Sequence, residues 1–185
     1  MSKGWAGVGY GKDTGGSRWI AGETRPIWTK SRDTVRASEG RTHTSNQATL
    51  WRWREAYQHD FAARMDWCVK PWAEANHIPL VVVNGVAGRQ PLRMAAAPSG
   101  MVLLSAAGSS DPDRNRLSLR CFYCLEAGEP GPRPAELSIR RETTEVAQVS
   151  VPKGEWADLH LILEVRDDGD PSLCSYRRVI IPRRP

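Results

Sequence analysis

Apolar residues recur every third or fourth position in one long stretch of this chain. Leu50, Trp53, Tyr57, Phe61 and Met65 share one face of a helix predicted through residues 46–67, and Arg52, Glu55, Gln58 and His59 fall largely on its other faces. Ser45 or Asn46 can accept a hydrogen bond from a first-turn amide, and no Pro or Gly interrupts the run until Pro71. So much aromatic area on one stripe predicts burial against a partner surface. Pro71 opens a second, short helical turn through Ala75, because proline is tolerated in a first turn. Ile78-Pro79 then forces the chain to extend.

From residue 80 the pattern changes to short apolar runs divided by turn clusters. Strands are predicted at residues 80–83 (closed by the turn pair Asn84-Gly85), 101–106, 117–124, 137–140, 146–151, 159–165 and 176–181. Alternation assigns their faces. Leu117, Leu119, Cys121 and Tyr123 point one way, and Ser118, Arg120, Phe122 and Cys124 the other. Leu159, Leu161 and Leu163 face in, with His160 and Ile162 facing out. Ser109-Ser110-Asp111-Pro112-Asp113 is a turn in which Asp111 caps its own backbone. The expected fold is mainly β: an immunoglobulin-like antiparallel β-sandwich over residues 78–185, preceded by a Trp-rich irregular and helical segment over residues 1–77.

Before the helix the chain is glycine-rich and aperiodic, with Trp5, Trp19 and Trp28 scattered through it. Gly4-Trp5-Ala6-Gly7-Val8-Gly9-Tyr10-Gly11 lacks the preceding strand, the following helix and the Lys-Ser/Thr pair of a phosphate loop, so it reads as an irregular segment. Residues 1–45 are expected to be mobile in the isolated chain. Of the eight tryptophans only Trp156 lies beyond residue 72, so composition changes along with pattern at the boundary.

The net charge of +5 does not change this picture, because the arginines are scattered and no nucleic-acid motif accompanies them. No apolar run approaches the roughly 20 residues of a membrane span, and no signal segment follows Met1. Cys121-Phe122-Tyr123-Cys124 has the spacing of a metal knuckle, but no second close Cys/His pair completes it, and the two read as ordinary strand residues.

The run His43-Thr44-Ser45-Asn46-Gln47-Ala48-Thr49, followed by Trp51-Arg52-Trp53-Arg54 and Asp60-Phe61-Ala62-Ala63-Arg64-Met65-Asp66-Trp67, resembles a junction in a bacterial family. Members of that family join a nucleoside-hydrolase-like domain to a C-terminal cellulose-binding domain. Leu104-Ser105-Ala106-Ala107-Gly108-Ser109-Ser110-Asp111-Pro112-Asp113, Leu163-Glu164-Val165-Arg166-Asp167 and Tyr176-Arg177-Arg178-Val179-Ile180-Ile181 resemble the C-terminal domain, which is similar to polycystic-kidney-disease-type repeats. The resemblance implies that this chain is the C-terminal part of a larger, exported protein. It also implies that Asp60 is similar to a late metal ligand of nucleoside hydrolases. The D-x-D-x-x-x-D-D cluster that would hold Ca²⁺ and activate water is absent from this sequence, so one ligand cannot make the site. No catalytic residue and no cofactor are assigned to this chain, and Ca²⁺ belongs to a full-length hydrolase-like parent.

A sandwich holds polysaccharide by stacking outward-facing aromatic rings on sugar faces. Phe122, Trp156 and Tyr176 are the candidate stacking residues, with Arg120 beside Phe122 as a polar partner. Cellulose is the expected ligand, nucleic acid and membrane are not expected partners, and an upstream hydrolase-like domain is a further partner. Two alternatives stay open. One is a share in a nucleoside-hydrolase-like glycosidase whose Asp cluster lies upstream. The other is a structural sandwich without glycan specificity.

Overall fold

The structure is a computed structural model that describes residues 33–36, 40–45, 47–96, 100–124, 137–151 and 158–182. The glycine-rich loop at residues 4–11, Trp5, Trp19, Trp28, Asn46 and Trp156 lie outside the described residues, as does most of the segment expected to be mobile. The chain divides into two compact units, Met1–Gln58 and His59–Pro185. Among the described residues, no helix is long and apolar enough to cross a membrane.

In the first unit, β1 (Asp33–Arg36) and β2 (Thr42–Ser45) form an antiparallel hairpin. Thr34 sits opposite Thr44, their hydroxyls 3.0 Å apart. Helix α1 (Ala48–Val69) begins here, with the Trp51 amide donating to the Gln47 carbonyl. The Ser45 hydroxyl accepts from the Gln47 amide at 3.1 Å, just ahead of the first turn. Arg52 donates to the Thr34 carbonyl at 3.1 Å, and His43 meets Trp51 edge-on.

The second unit opens with the rest of α1. The expected burial of the aromatic stripe does not occur: Phe61 is 63% exposed and Met65 48%. The face that packs instead carries His59, Ala63 and Trp67, four residues apart. Ala63 is fully buried, and a residue this small lets the helix approach closely. Its neighbours along that face reach out with polar tips. His59 Nδ1 lies 2.8 Å from the Ser172 carbonyl, and the Trp67 indole donates to the Asn76 carbonyl at 2.8 Å. Pro71 then starts the expected short turn, a 3₁₀ helix over Trp72–Glu74.

Two facing sheets follow. One has the order β5 (Leu92–Arg93), β11 (Cys174–Ile181), β10 (Leu159–Asp167), β7 (Leu117–Tyr123), and is antiparallel except for the parallel β11–β5 pair. The other is β6 (Met101–Ser105), β9 (Val146–Ser150), β8 (Ser138–Arg140). A small ribbon, β3 (Val82–Val83) and β4 (Val86–Ala87), turns at Asn84-Gly85, both in the left-handed region that such a two-residue turn requires. Asn84 also ties the ribbon to β6: its side chain donates to the Leu103 carbonyl and accepts from the Ser105 amide. The mainly β, immunoglobulin-like antiparallel sandwich expected from the alternation is therefore the architecture observed. Its core is filled from both sheets, by Val102, Leu104 and Val149 on one side and Leu161, Leu163, Val165 and Val179 on the other.

The faces follow the predicted alternation with one difference. His160 and Ile162 do lie on the outer face of β10, yet both are buried, as are Ile180 and Cys124 beside them. β10 is a central strand flanked on both edges, and its first half is covered on both faces.

Candidate functional site

Antiparallel register sets the outer face of the four-stranded sheet. Arg120, Glu164 and Tyr176 form one row across β7, β10 and β11, and Phe122, Ile162 and Arg178 form the next. Three of the sequence-predicted residues, Arg120, Phe122 and Tyr176, thus share one surface, with Tyr176 two strands, or about 10 Å, from Arg120. The Arg120 guanidinium lies 5.3 Å from the centre of the Phe122 ring, within range of a cation–π contact. Arg120 is exposed, whereas Phe122 and Tyr176 are half-buried. Glu164 accepts from Arg166 at 3.3 Å, which adds a polar pair to the surface. Burial, then the Glu164 charge, pushes the Tyr176 phenol well above its usual range, so it remains a neutral donor. The fourth predicted residue, Trp156, lies outside the described residues.

Asp60 accepts from Arg64 of the next helical turn at 2.7 and 3.3 Å. That pairing raises the Arg64 pKa further. Among the described residues no group of three His, Cys, Asp or Glu side chains could hold a metal ion. Cys121 lies on the core-facing side of β7 and Cys124 just past its end on the opposite face, so the pair does not converge. No disulfide joins Cys68, Cys121, Cys124 and Cys174.

The sequence reading missed a second surface, built where α1 runs into the sandwich. His77 is buried with its imidazole parallel to two indoles: Trp72 at 3.4 Å between ring centres and Trp67 at 6.0 Å. Asp113 holds it from the side, accepting from the His77 amide at 2.6 Å and lying 3.0 Å from its Nδ1. Trp72 itself is 70% exposed. It borders a groove of about 470 Å³ lined by Trp67, His77, Ile78, Leu80 and Pro112, with Lys70 at the side.

Beneath this surface, polar side chains lock the segment leading into the sandwich to two of its loops. Asn76 donates to Asp167 at 3.1 Å and to the Pro171 carbonyl at 2.9 Å, and accepts from Asn115 at 2.7 Å. Asp167 in turn accepts from the amides of Gly169 and Leu173. Asp111 forms the expected Asx turn, one oxygen accepting from the amides of Asp113 and Asn115 at 2.9 and 3.0 Å. Its other oxygen is buried without a hydrogen-bond partner. Burial raises the Asp111 pKa, opposed by those two amides and helped by the charges of Asp167 and Asp113.

Residues 101–183, from the start of β6 to two residues past β11, match the family model described as cellulose-binding protein Sde0182, C-terminal domain. Among solved structures, the chain is similar to a nucleoside hydrolase-related hypothetical protein from Saccharophagus degradans that is associated with carbohydrate metabolism. That match has 35% identity and a TM-score of 0.65, over 78% of this chain and 35% of that one. The chain thus spans about a third of that relative's length. A PKD domain from KIAA 1837 protein matches at 19% identity and a TM-score of 0.32, over 51% of this chain and 79% of that one. No curated protein matches the chain. The resemblance read from the sequence is borne out by the family match and the Saccharophagus relative together.

Proposed function

We propose that this chain is a non-catalytic carbohydrate-binding module, that its ligand is cellulose, and that the sandwich over residues 78–185 carries a binding surface. The observation that carries the reading is the match of residues 101–183 to the C-terminal domain of a cellulose-binding protein. The relative associated with carbohydrate metabolism is consistent with it. On the sheet surface, Phe122 and Tyr176 offer rings to the C–H faces of glucose units, and Arg120 offers donors to hydroxyls. Trp156 is assigned to the same role from its position ahead of β10. The parent protein acts outside the cytoplasm, where its polysaccharide is. Residues 1–77 are the end of an upstream hydrolase-like domain.

The test is depletion of the full chain from solution by insoluble cellulose, with xylan and chitin alongside. Retention on cellulose that falls in Phe122→Ala, Trp156→Ala or Tyr176→Ala proteins supports the reading. Failure of the full chain to bind cellulose overturns it. The nucleoside hydrolase-related relative favours a second reading, in which the chain is one part of a glycosidase. Release of ribose from inosine by residues 1–185 alone, with Ca²⁺ present, would overturn the non-catalytic assignment.

A further inference from the structure

We propose that the groove beside Trp72 is a sugar-binding site, in which one pyranose ring of a β-linked glucan lies flat on the exposed indole. The inference rests on the carbohydrate-binding reading above and gives it a location away from Phe122 and Tyr176.

Three observations carry it. The first is support. An indole left 70% exposed on a surface is ordinarily free to change rotamer, but Trp72 is backed by the buried His77 ring at 3.4 Å. His77 is fixed in turn by Asp113 on one edge and by Trp67 beyond it. The ring is therefore held before any ligand arrives, which removes an ordering cost from binding. The second is shape. A groove of about 470 Å³ lies within the usual range of small-molecule sites. Leu80, itself 60% exposed, and Pro112 extend its apolar lining. The third is the polar edge. Lys70 lines the groove, its ammonium 3.0 Å from the Asp66 carboxylate, so one cation stands beside an otherwise apolar floor. A pyranose matches that combination, with a C–H face for the indole and a rim of neutral hydroxyls that can both donate and accept. A purely apolar ligand would leave the Lys70 ammonium unused.

The experiment compares the full chain with Trp72→Ala and Trp72→Phe proteins on insoluble cellulose, xylan and chitin, each protein first checked for an unchanged melting temperature. The expected result is a loss of about tenfold or more in affinity in Trp72→Ala, with partial recovery in Trp72→Phe. If the native chain binds cellulose and Trp72→Ala binds it equally well, the groove is not the site, and the cellulose reading stands without it. If the native chain binds xylan or chitin instead, and Trp72→Ala loses that binding, the groove is a sugar site but its glucan specificity and the cellulose assignment both fail. Binding of none of the three by the native chain overturns both.

Discussion

Trp72 lies almost parallel to His77, their planes 22° apart and their ring centres separated by 3.4 Å. One ring is mostly in solvent and the other is buried, so the two residues have opposite consequences when removed. His77 is a structural support, and Trp72 is what it supports.

His77→Ala should therefore destabilise the fold, because it empties a buried site and takes a partner from Asp113. A loss of about 2–3 kcal/mol is expected, against less than about 1 kcal/mol for Trp72→Ala. Urea denaturation of the two variants measures both. Equal losses would show that the indole is part of the core.

The Asn76 junction makes a sharper prediction through Gly169. A Cβ placed at Gly169 would collide with the Asn76 side chain. Gly169→Ala should cost about 1–3 kcal/mol by overpacking. Asn76→Ala should cost a similar amount by leaving the Asp167 carboxylate short of a donor. Because both act at one point, the double variant should lose less than the sum of the two. Strict additivity in a thermal-melt cycle would count against the junction.

Asp111 carries a pH signature. Its folded-state pKa is raised by burial, so the proton is held more tightly in the folded chain than in the unfolded one. The stability this contributes is fully present below the unfolded value of about 3.8–3.9 and is lost as pH rises through the folded value. Asn keeps an oxygen for the amides of Asp113 and Asn115 and removes the charge. The stability of Asp111→Asn relative to the native chain should thus be most favourable near neutral pH and decline on acidification. A relative stability that grows as pH falls would contradict the assignment.

Thiol chemistry separates the cysteines. Burial, with Glu142 adding to it, pushes the Cys121 thiol up to about 12, while Cys68 is exposed on the helix. At pH 8 the native chain should be labelled first at Cys68, and Cys121 should react only after denaturation. Mass spectrometry of peptides after timed alkylation decides this, and early labelling of Cys121 would mean that the core opens readily.

The sandwich was legible because its strands obey a period of two. Leu117, Leu119, Cys121 and Tyr123 turn inward as the alternation requires, and the rows bringing Arg120 and Tyr176 to one surface follow from the register. The helix misled. Its aromatic stripe has the stronger period, yet the packed face is chosen by the reach of His59 and Trp67 to carbonyls and by the small size of Ala63, none of which hydrophobicity scores. The Trp72 groove was invisible for a different reason: it joins residues 67–80 to the loop at Pro112, and only the three-dimensional fold brings those together.

The position of Asn76 matters to anyone dividing this chain. A fragment beginning at residue 78 would be cut two residues beyond the side chain that binds Asp167, Asn115 and the Pro171 carbonyl. It would also lack His77, leaving Asp113 without the amide and imidazole it faces. The strands would all be present, but the two loops at that end would have lost their clasp. Such a fragment could fail to bind a glycan simply because its loops no longer hold their shape.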